Sequence, residues 1–319
     1  MTVPPPANDL VSVIVAVLTY RREVQLGLLL PQLVAQAERL DDAGLTRSAT
    51  TIVVVDNDAS GSARPIAEPW SPRVRYVHEL TAGIAAGRAR AVREAAGADV
   101  VVFIDDDEEP TPEWLAGMVG TWLHHGRPGG VAGRVCPTYA GETDPWIDAG
   151  GFFKRRQYAT GTPVPAASSA NLLLDLGALR DLELNFDERL GLRGGEDTQL
   201  TQTLTRSGRQ LLWCNEAAVI DHIPPSRMNR RWVLRRAFSH AAVTSRLALH
   251  FSGGGPVARA KLGLVGLGRI VAGLGMAAAG VATRRLRFRA RGWRLVYRGA
   301  GLLFGSLGRD VVEYGRSTA

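Results

Sequence analysis

The chain has 319 residues, and a hydrophobic content of 45% suffices for one large domain or two moderate ones. Only two cysteines are present, Cys136 and Cys214, which excludes a disulfide framework and matches no zinc signature, so a reduced cytosolic setting is expected. The net charge of +7 is uneven: residues 255–319 carry +10 and residues 1–254 carry −3, which argues against a nucleic-acid partner.

Short apolar runs alternate with segments of helical periodicity in the first third of the chain. The runs rich in Val and Ile predict strands at residues 11–20, 51–58, 74–79 and 101–107, with helices predicted at 24–40 and 84–96. This alternation predicts an α/β fold with a mostly parallel sheet and right-handed crossovers.

Polar residues follow three of these predicted strands. They are Thr19, Tyr20 and Arg22 after the first, Asp56 after the second, and Asp105, Asp106 and Asp107 after the fourth. Because ligands in such sheets bind beyond the carboxyl ends of the strands, these residues are candidates for one binding site.

The run of five acidic residues at 105–109 is the most unusual of these features. Neighbouring carboxylates raise the cost of ionising one another, and a cation relieves that cost. Mg²⁺ or Mn²⁺ prefers oxygen ligands and is commonly held by one or two carboxylates together with substrate phosphates. The run therefore indicates a divalent metal site, with a solvated acidic turn as the alternative.

The segment GGEDTQL places Glu196 and Asp197 at the start of a predicted helix, directly after two glycines. A carboxylate held there can act as a general base, although acidic residues also stabilise helix N-termini without any catalytic role. Another predicted strand ends at His222, where an imidazole is either a metal ligand or a structural residue.

Five segments in order, TYRR, VVVDNDAS, AGIAAGRARAV, IDDD and GGEDTQL, resemble the motifs of the inverting family 2 glycosyltransferases with the glycosyltransferase A-type fold. The resemblance covers roughly residues 11–251. It implies a Rossmann-like nucleotide-diphospho-sugar fold and transfer of a sugar from a nucleotide-diphosphate donor to an acceptor hydroxyl, with inversion at the anomeric carbon.

The resemblance also implies roles for individual residues on the donor side. Asp107 is expected to bind the metal, and Asp105 to face the ribose and the metal shell. Asp56 is expected to accept a hydrogen bond from the uracil imide, although its segment DNDASG is also rich in turn formers. Arg88 is expected on the base or phosphate side, but Ala89 stands where the family usually has Asn. Further expected contacts to the nucleotide sugar come from Thr19, Tyr20, Arg22, Asp106 and Asn171.

On the acceptor side, Asp197 matches the catalytic base of the family, and Glu196 is expected to contact acceptor hydroxyls. His222 is expected to complete the metal shell with Asp107, as in part of the family. UDP is the first candidate for the nucleotide, with GDP and dTDP left open. The acceptor is expected to be a cell-envelope or lipid-linked saccharide. A soluble small molecule as acceptor, or a non-catalytic membrane-tethered binding protein, are the alternatives.

The composition suggests three regions. Residues 1–10 are polar and Pro-rich, predict a flexible N-terminus and do not resemble a signal peptide. Residues 11–254 form the predicted catalytic domain, with a nucleotide-binding half at 11–110 and an acceptor half at 111–254. Residues 255–319 form a basic, apolar, helical tail.

Within this tail, residues 262–282 are long enough to span a bilayer and carry a single charge, Arg269. Six glycines and the central arginine favour association with an anionic membrane surface over a span. The expected location is therefore peripheral, on the cytoplasmic face of the membrane.

Overall fold

The computed structural model describes residues 10–311, so the predicted flexible segment 1–10 lies outside them except for its last residue. One mixed sheet of eight strands has the order β3-β2-β1-β4-β7-β6-β8-β5. The strands are β1 (Val13–Thr19), β2 (Thr51–Asp56), β3 (Val74–His78), β4 (Val100–Asp105), β5 (Glu108–Pro110), β6 (Gly130–Tyr139), β7 (Asn171–Asp175) and β8 (Leu211–Ile223).

Ten α-helices lie in the described part of the chain. They are α1 (Glu23–Asp42), α2 (Arg64–Ala67), α3 (Ile84–Glu94), α4 (Trp114–His124), α5 (Pro145–Gly150), α6 (Leu176–Asp181), α7 (Glu196–Arg206), α8 (Arg230–Phe251), α9 (Pro256–Ala282) and α10 (Leu286–Ser306). The helices predicted at 24–40 and 84–96 are thus α1 and α3, with ends that differ by no more than two residues.

The four predicted strands form the parallel half of the sheet. β1 pairs in parallel with β2 and β4, and β2 pairs in parallel with β3. This register brings Thr19, Asp56 and Asp105 to the same edge, since Thr19 lies opposite Asp56, and Leu18 lies opposite Asp105. The predicted α/β class is confirmed, and the four predicted strands are parallel to one another.

The other half of the sheet is antiparallel, which the sequence did not indicate. β7 runs antiparallel to both β4 and β6, and β5 pairs antiparallel with β8. β7 reads NLLLD, a continuous apolar run that is equally suited to a parallel strand. Its direction depends on pairing with β4, about 70 positions earlier in the chain.

Two sets of buried side chains cover the two faces of the sheet. Val13, Val15 and Val17 of β1 pack with residues of α1 and α4, while Ala16 packs with residues of α3 and α7. Successive residues of a strand point to opposite faces, so β1 contributes to both cores and must be apolar throughout.

The described chain divides into two compact units. The first contains the sheet, except for the last residues of β6 and β8, and helices α1–α4, α6 and α7; the second contains residues 137–155, 193–195 and the described residues from His222 onward. In the second unit, α10 packs against both α8 and α9, and residues of α5, α8 and α10 form a small hydrophobic cluster with Trp146, Ile147, Val233 and Ala290.

Helices α9 and α10 form an antiparallel hairpin held by close backbone contacts. A Cβ atom on Gly266 would lie 2.8 Å from the Gly299 carbonyl oxygen, and one on Gly273 would lie 2.7 Å from that of Gly292. Only glycine permits this approach without displacing the partner helix. In length and composition, α9 is the one helix in the described residues that meets the requirements for crossing a membrane.

Candidate functional site

The loop after β1 supplies a guanidinium group to the acidic run. Arg22 Nη1 lies 2.6 Å from Asp106 Oδ1 and 2.8 Å from Asp107 Oδ2, so one arginine bridges two of the three aspartates. The neighbouring Arg21 has φ +52° and donates from Nε to Asp58 Oδ1 at 3.1 Å. Thr19 is buried at the end of β1, and Tyr20 follows it half-buried.

Asp56 is fully buried at the end of β2, where its carboxylate organises the following turn. Oδ1 accepts a hydrogen bond from the Asp58 amide, and Oδ2 accepts from the Ala63 amide and from the Tyr76 hydroxyl. Burial, followed by the charge of Asp56, raises the pKa of Tyr76 to about 12, which keeps its hydroxyl a donor. Three acceptor positions of this fully buried carboxylate are therefore used within the protein, and its contact with uracil stays a prediction.

The acidic run lies where β4 ends, and its carboxylates differ in exposure. The Asp105 side chain keeps 40% of its accessible surface, whereas Asp106 and Glu108 are buried. Burial raises the pKa of Asp106 to about 6, against the opposing charge of Arg22. Although part of its side chain is accessible, desolvation by the surrounding groups raises the pKa of Asp105; the charge of Arg88 opposes this shift and that of Asp107 reinforces it.

Glu108 is a buried acid of this run to which the sequence analysis assigned no role. It opens β5 opposite Asp221 of β8, and one of its carboxylate oxygens has no hydrogen-bond partner within the described residues. Burial, together with the charges of Asp105 and Asp221, raises its pKa well above the ordinary value. A three-residue strand carries too little periodicity to reveal such burial in advance.

A buried ion pair connects α3 to the start of α7. Arg88 Nη1 binds Glu196 Oε1, and Arg88 Nη2 lies 3.6 Å from Asp105 Oδ1. The Glu196 side chain is 1% exposed, and its second oxygen has no hydrogen-bond partner within residues 10–311. Burial raises the pKa of Glu196 above its ordinary value, although the charge of Arg88 opposes this shift. Arg88 thus bridges the acidic run and the Glu-Asp segment.

Asp197 lies beside this pair in the first turn of α7 and is more exposed than Glu196. Its Oδ2 accepts a hydrogen bond from the Ser169 amide at 3.3 Å, and its charge contributes to the raised pKa of Asp105. The charge of the predicted base therefore acts directly on Asp105, one of the predicted metal ligands.

Asn171 is 2% exposed at the start of β7, and its amide group ties four elements together. Its Oδ1 accepts from Trp114 Nε1 at 2.8 Å, and its Nδ2 donates to the carbonyl oxygens of Arg134 and Ala217, both at 2.9 Å. Both amide protons are used in the protein, so the predicted contact to the donor is limited to the second lone pair of Oδ1.

His222 lies exposed near the end of β8 and belongs to the second compact unit. Its Nδ1 lies 3.0 Å from Thr138 Oγ1. In the part of the chain that the structure describes, no group of three or more His, Cys, Asp or Glu side chains is arranged to hold a metal ion. The roles of Asp105, Asp107 and His222 as metal ligands stay a prediction.

The sequence profile of Glycosyl transferase family 2 matches residues 14–183, which is more than half of the chain. The chain belongs to this family. As a family 2 glycosyltransferase it is a transferase enzyme, and the resemblance stated from its motifs is confirmed.

The chain also matches an individual protein over most of its length. The glycosyltransferase is 27% identical over 245 residues to the succinoglycan biosynthesis protein ExoM of Rhizobium meliloti (strain 1021), a match that covers 75% of this chain and 76% of the relative.

Solved structures show the same fold at low identity. The mannosyltransferase PcManGT from Pyrobaculum calidifontis, in complex with GDP-Man and Mn²⁺, matches with a TM-score of 0.62 at 18% identity, over 95% of this chain and 89% of its own. GalNAc-T7 with UDP, GalNAc and Mn²⁺ matches with a TM-score of 0.52 at 13% identity, over 74% of this chain. The chain spans about half (48%) of the length of GalNAc-T7. The fold is therefore the glycosyltransferase A-type fold.

Proposed function

We propose that this enzyme transfers a sugar from a nucleotide-diphosphate sugar to an acceptor hydroxyl, with inversion and with the help of a divalent metal. The observation that carries the proposal is the cluster at the carboxyl ends of β1 and β4. There Asp105, Asp106 and Asp107 lie with Arg22 and Arg88, and the charge of Asp197 reaches Asp105. A diphosphate donor needs cationic groups for its phosphates, and an inverting transfer needs a separate base.

The chemistry of the donor set fits a magnesium or manganese ion. Among the three aspartates of the run, Asp105 and Asp107 are partly exposed, and both offer hard oxygen ligands. Mg²⁺ is usually bound by one or two carboxylates plus substrate phosphates, so a set of three protein ligands is not required. When bound, such an ion neutralises charge that develops on the departing diphosphate. His222 stays a predicted additional ligand.

Asp197 is the proposed general base. Its carboxylate is partly exposed at the start of a helix; Oδ2 accepts from the Ser169 amide and Oδ1 from the Thr198 amide, so its orientation is fixed. It would take the proton of the acceptor hydroxyl while that oxygen attacks the anomeric carbon and the diphosphate leaves from the opposite face. Because Glu196 is buried against Arg88, we propose that it positions this arginine in addition to its predicted acceptor contact.

The donor and acceptor classes are proposed from the relatives. One structural neighbour is named with UDP and another with GDP-Man, which supports a nucleotide-sugar donor; UDP stays the first candidate from the motif resemblance, with GDP and dTDP open. ExoM is named for succinoglycan biosynthesis, which supports a saccharide as the acceptor, and we keep the predicted cell-envelope or lipid-linked saccharide as the proposal. The proposed location is the cytoplasmic face of the membrane, with residues 255–319 toward an anionic surface.

Hydrolysis of a panel of UDP, GDP and dTDP sugars tests the chemistry. Water serves as the acceptor, and the released nucleoside diphosphate is measured. Hydrolysis of at least one donor that requires Mn²⁺ or Mg²⁺ and is abolished by a chelator is expected. Asp107→Ala should remove metal-dependent UDP binding in calorimetry, whereas Glu68→Ala, a change at an exposed acid paired with Arg64, should leave it unchanged. Binding that is independent of metal in the parent chain would remove the metal from the proposal.

A further inference from the structure

Helix α9 exposes more large apolar side chains than any other helix in the described residues. Of the fourteen exposed large hydrophobic side chains in the described part of the chain, eight lie on this helix. Val257, Leu264 and Val271 recur at intervals of seven residues and are 82%, 70% and 63% exposed. Contiguous exposed apolar surface on this scale marks a contact with a membrane or another protein.

The opposite side of α9 is a stripe of small residues. Gly266, Gly273 and Gly280 recur at the same seven-residue interval and contact the backbone of α10. Leu264 and Gly266 are two positions apart, a rotation of about 200° at 3.6 residues per turn, so they lie on nearly opposite sides of the helix. One side of α9 is thus committed to α10, and the apolar side faces outward.

Cationic side chains stand at both ends of this apolar surface. At the C-terminal end, Arg284, Arg285, Arg287, Arg289 and Arg291 lie in the turn and in the first residues of α10. At the N-terminal end, a cleft of about 450 Å³ is lined by residues that include Arg246, His250, Arg259, Arg309 and Asp310. Lys261 adds an exposed cation in the second turn of α9. This charge distribution complements anionic lipid headgroups.

The hairpin contacts decide between a span and a surface orientation. The contact of Gly273 with Gly292 and Val296 places Arg291 and Arg294 of α10 beside the middle of α9. If α9 crossed the bilayer, these arginines would be carried toward its centre, where charged side chains are costly. Arg294 is also bonded to the carbonyl oxygens of Gly150 and Gly151 at 2.9 and 2.7 Å, which fixes α10 to its own unit.

We infer that α9 lies flat in the interface of an anionic membrane, with the face of Val257, Leu264 and Val271 toward the acyl chains and α10 behind it. This inference rests on the membrane location proposed above and not on the proposed chemistry. It adds the inserting face, the orientation and the reason why the helix does not span. Amphipathic elements of this kind bury their apolar side in the boundary between headgroups and acyl chains.

Vesicle flotation of the full chain tests the inserting face. A triple variant, Leu264→Gln, Val271→Gln and Leu274→Gln, should need about a hundredfold more phosphatidylcholine–phosphatidylglycerol vesicles for half-maximal binding, because three apolar side chains no longer favour insertion. A matched control, Val24→Gln, Leu28→Gln and Leu80→Gln, changes side chains that are 68–73% exposed in the other unit and should bind like the parent. Equal loss in both variants, or in neither, overturns the inference.

Depth measurements test the orientation. Single cysteines at Leu264, Val271 and Ala278, in a chain with Cys136→Ser and Cys214→Ala, would be labelled with a fluorophore and quenched by spin-labelled lipids. All three positions lie on one side of α9, so equal shallow depths are expected for a helix in the interface. A deep Val271 position between two shallower ones would show a span and overturn the inference.

Two further measurements distinguish membrane insertion from catalysis and from self-association. Donor hydrolysis without vesicles should be the same in the triple variant and the parent. This assay reports on the proposed chemistry alone, so its failure can be distinguished from a failure of membrane binding. Light scattering of the lipid-free chain addresses a second copy as the occupant. A dimer that dissociates in the triple variant, together with no flotation of the parent, would assign this face to self-association and overturn the inference.

Discussion

Replacing Arg88 by methionine should be among the most destabilising changes at the site. The substitution leaves Glu196 buried at 1% exposure beside an apolar side chain, with neither oxygen compensated by a cation. Removing one partner of a buried ion pair typically costs about 3–5 kcal/mol, because the remaining charge stays desolvated. Arg88→Met should therefore lower the free energy of unfolding by about that amount at pH 7.

The reverse change should cost less. In Glu196→Gln, Arg88 keeps Asp105 at 3.6 Å, and the glutamine oxygen can still accept a hydrogen bond from it. A loss of about 1.5–3 kcal/mol, the scale of a hydrogen bond to a charged group, is expected. The double variant should lose less than the sum of the two single variants, by a coupling of about 1–3 kcal/mol, because no buried charge is left without a partner.

Urea denaturation of the four chains at pH 7 and pH 5 measures both effects. Burial raises the pKa of Glu196, and without Arg88 the folded state binds its proton more tightly than the unfolded state does. Stability then falls as pH rises from the unfolded pKa through the folded one, so the deficit of Arg88→Met should shrink at pH 5. Additive single effects, or a deficit that is the same at both pH values, would refute the ion pair as the cause.

Three other outcomes are expected. Asp197→Asn should keep donor affinity within a few-fold while transfer falls by roughly 10² or more, measured by calorimetry and by product formation, and near-normal turnover would place the base elsewhere. At Asp41, burial raises the pKa, but hydrogen bonds from Thr50 and a neighbouring arginine outweigh it and the net pKa is lowered. The stability that this carboxylate gives is present above its unfolded pKa and is lost as pH falls through the folded one. Asp41→Asn should thus be less stable than the parent at pH 7 and approach it near pH 3 in urea titrations, whereas a constant difference would contradict the shift. Gly133→Ala should cost about 1–3 kcal/mol in thermal unfolding, because its Cβ would lie 2.3 Å from the Asn171 amide nitrogen, and an unchanged melting temperature would show that the strands relax without cost.

Local signals in the sequence predicted the parts of the site that depend on neighbouring residues. An apolar run that ends at Asp105 predicts a strand with acids at its carboxyl end, and two glycines before Glu196 mark the start of α7. The partners of these acids are distant: Arg22 is 84 positions from Asp106, and Arg88 is 108 positions from Glu196. An ion pair across such a separation depends on the packing of several elements, and no local pattern of apolar residues reports it.

The antiparallel half of the sheet could not be predicted for a related reason. A strand buried on both faces has the same apolar composition whichever way it runs, and β7 contains only five residues. Its register with β4 pairs Phe103 with Leu172, a contact that no turn or short loop enforces. The residue pattern was ambiguous for this half of the sheet, and only the motif resemblance indicated which α/β fold the chain adopts.

The glycine stripe between α9 and α10 implies an uneven tolerance to mutation around a single helix. On the outward side, side chains do not contact the backbone of α10. Most substitutions there that preserve the helix should therefore leave the yield of folded protein unchanged. On the inner side, a single methyl group at Gly280 would lie 2.5 Å from a backbone nitrogen of α10. A saturation library scored for soluble yield should therefore show near-complete loss at Gly266, Gly273 and Gly280, with permissive positions between them.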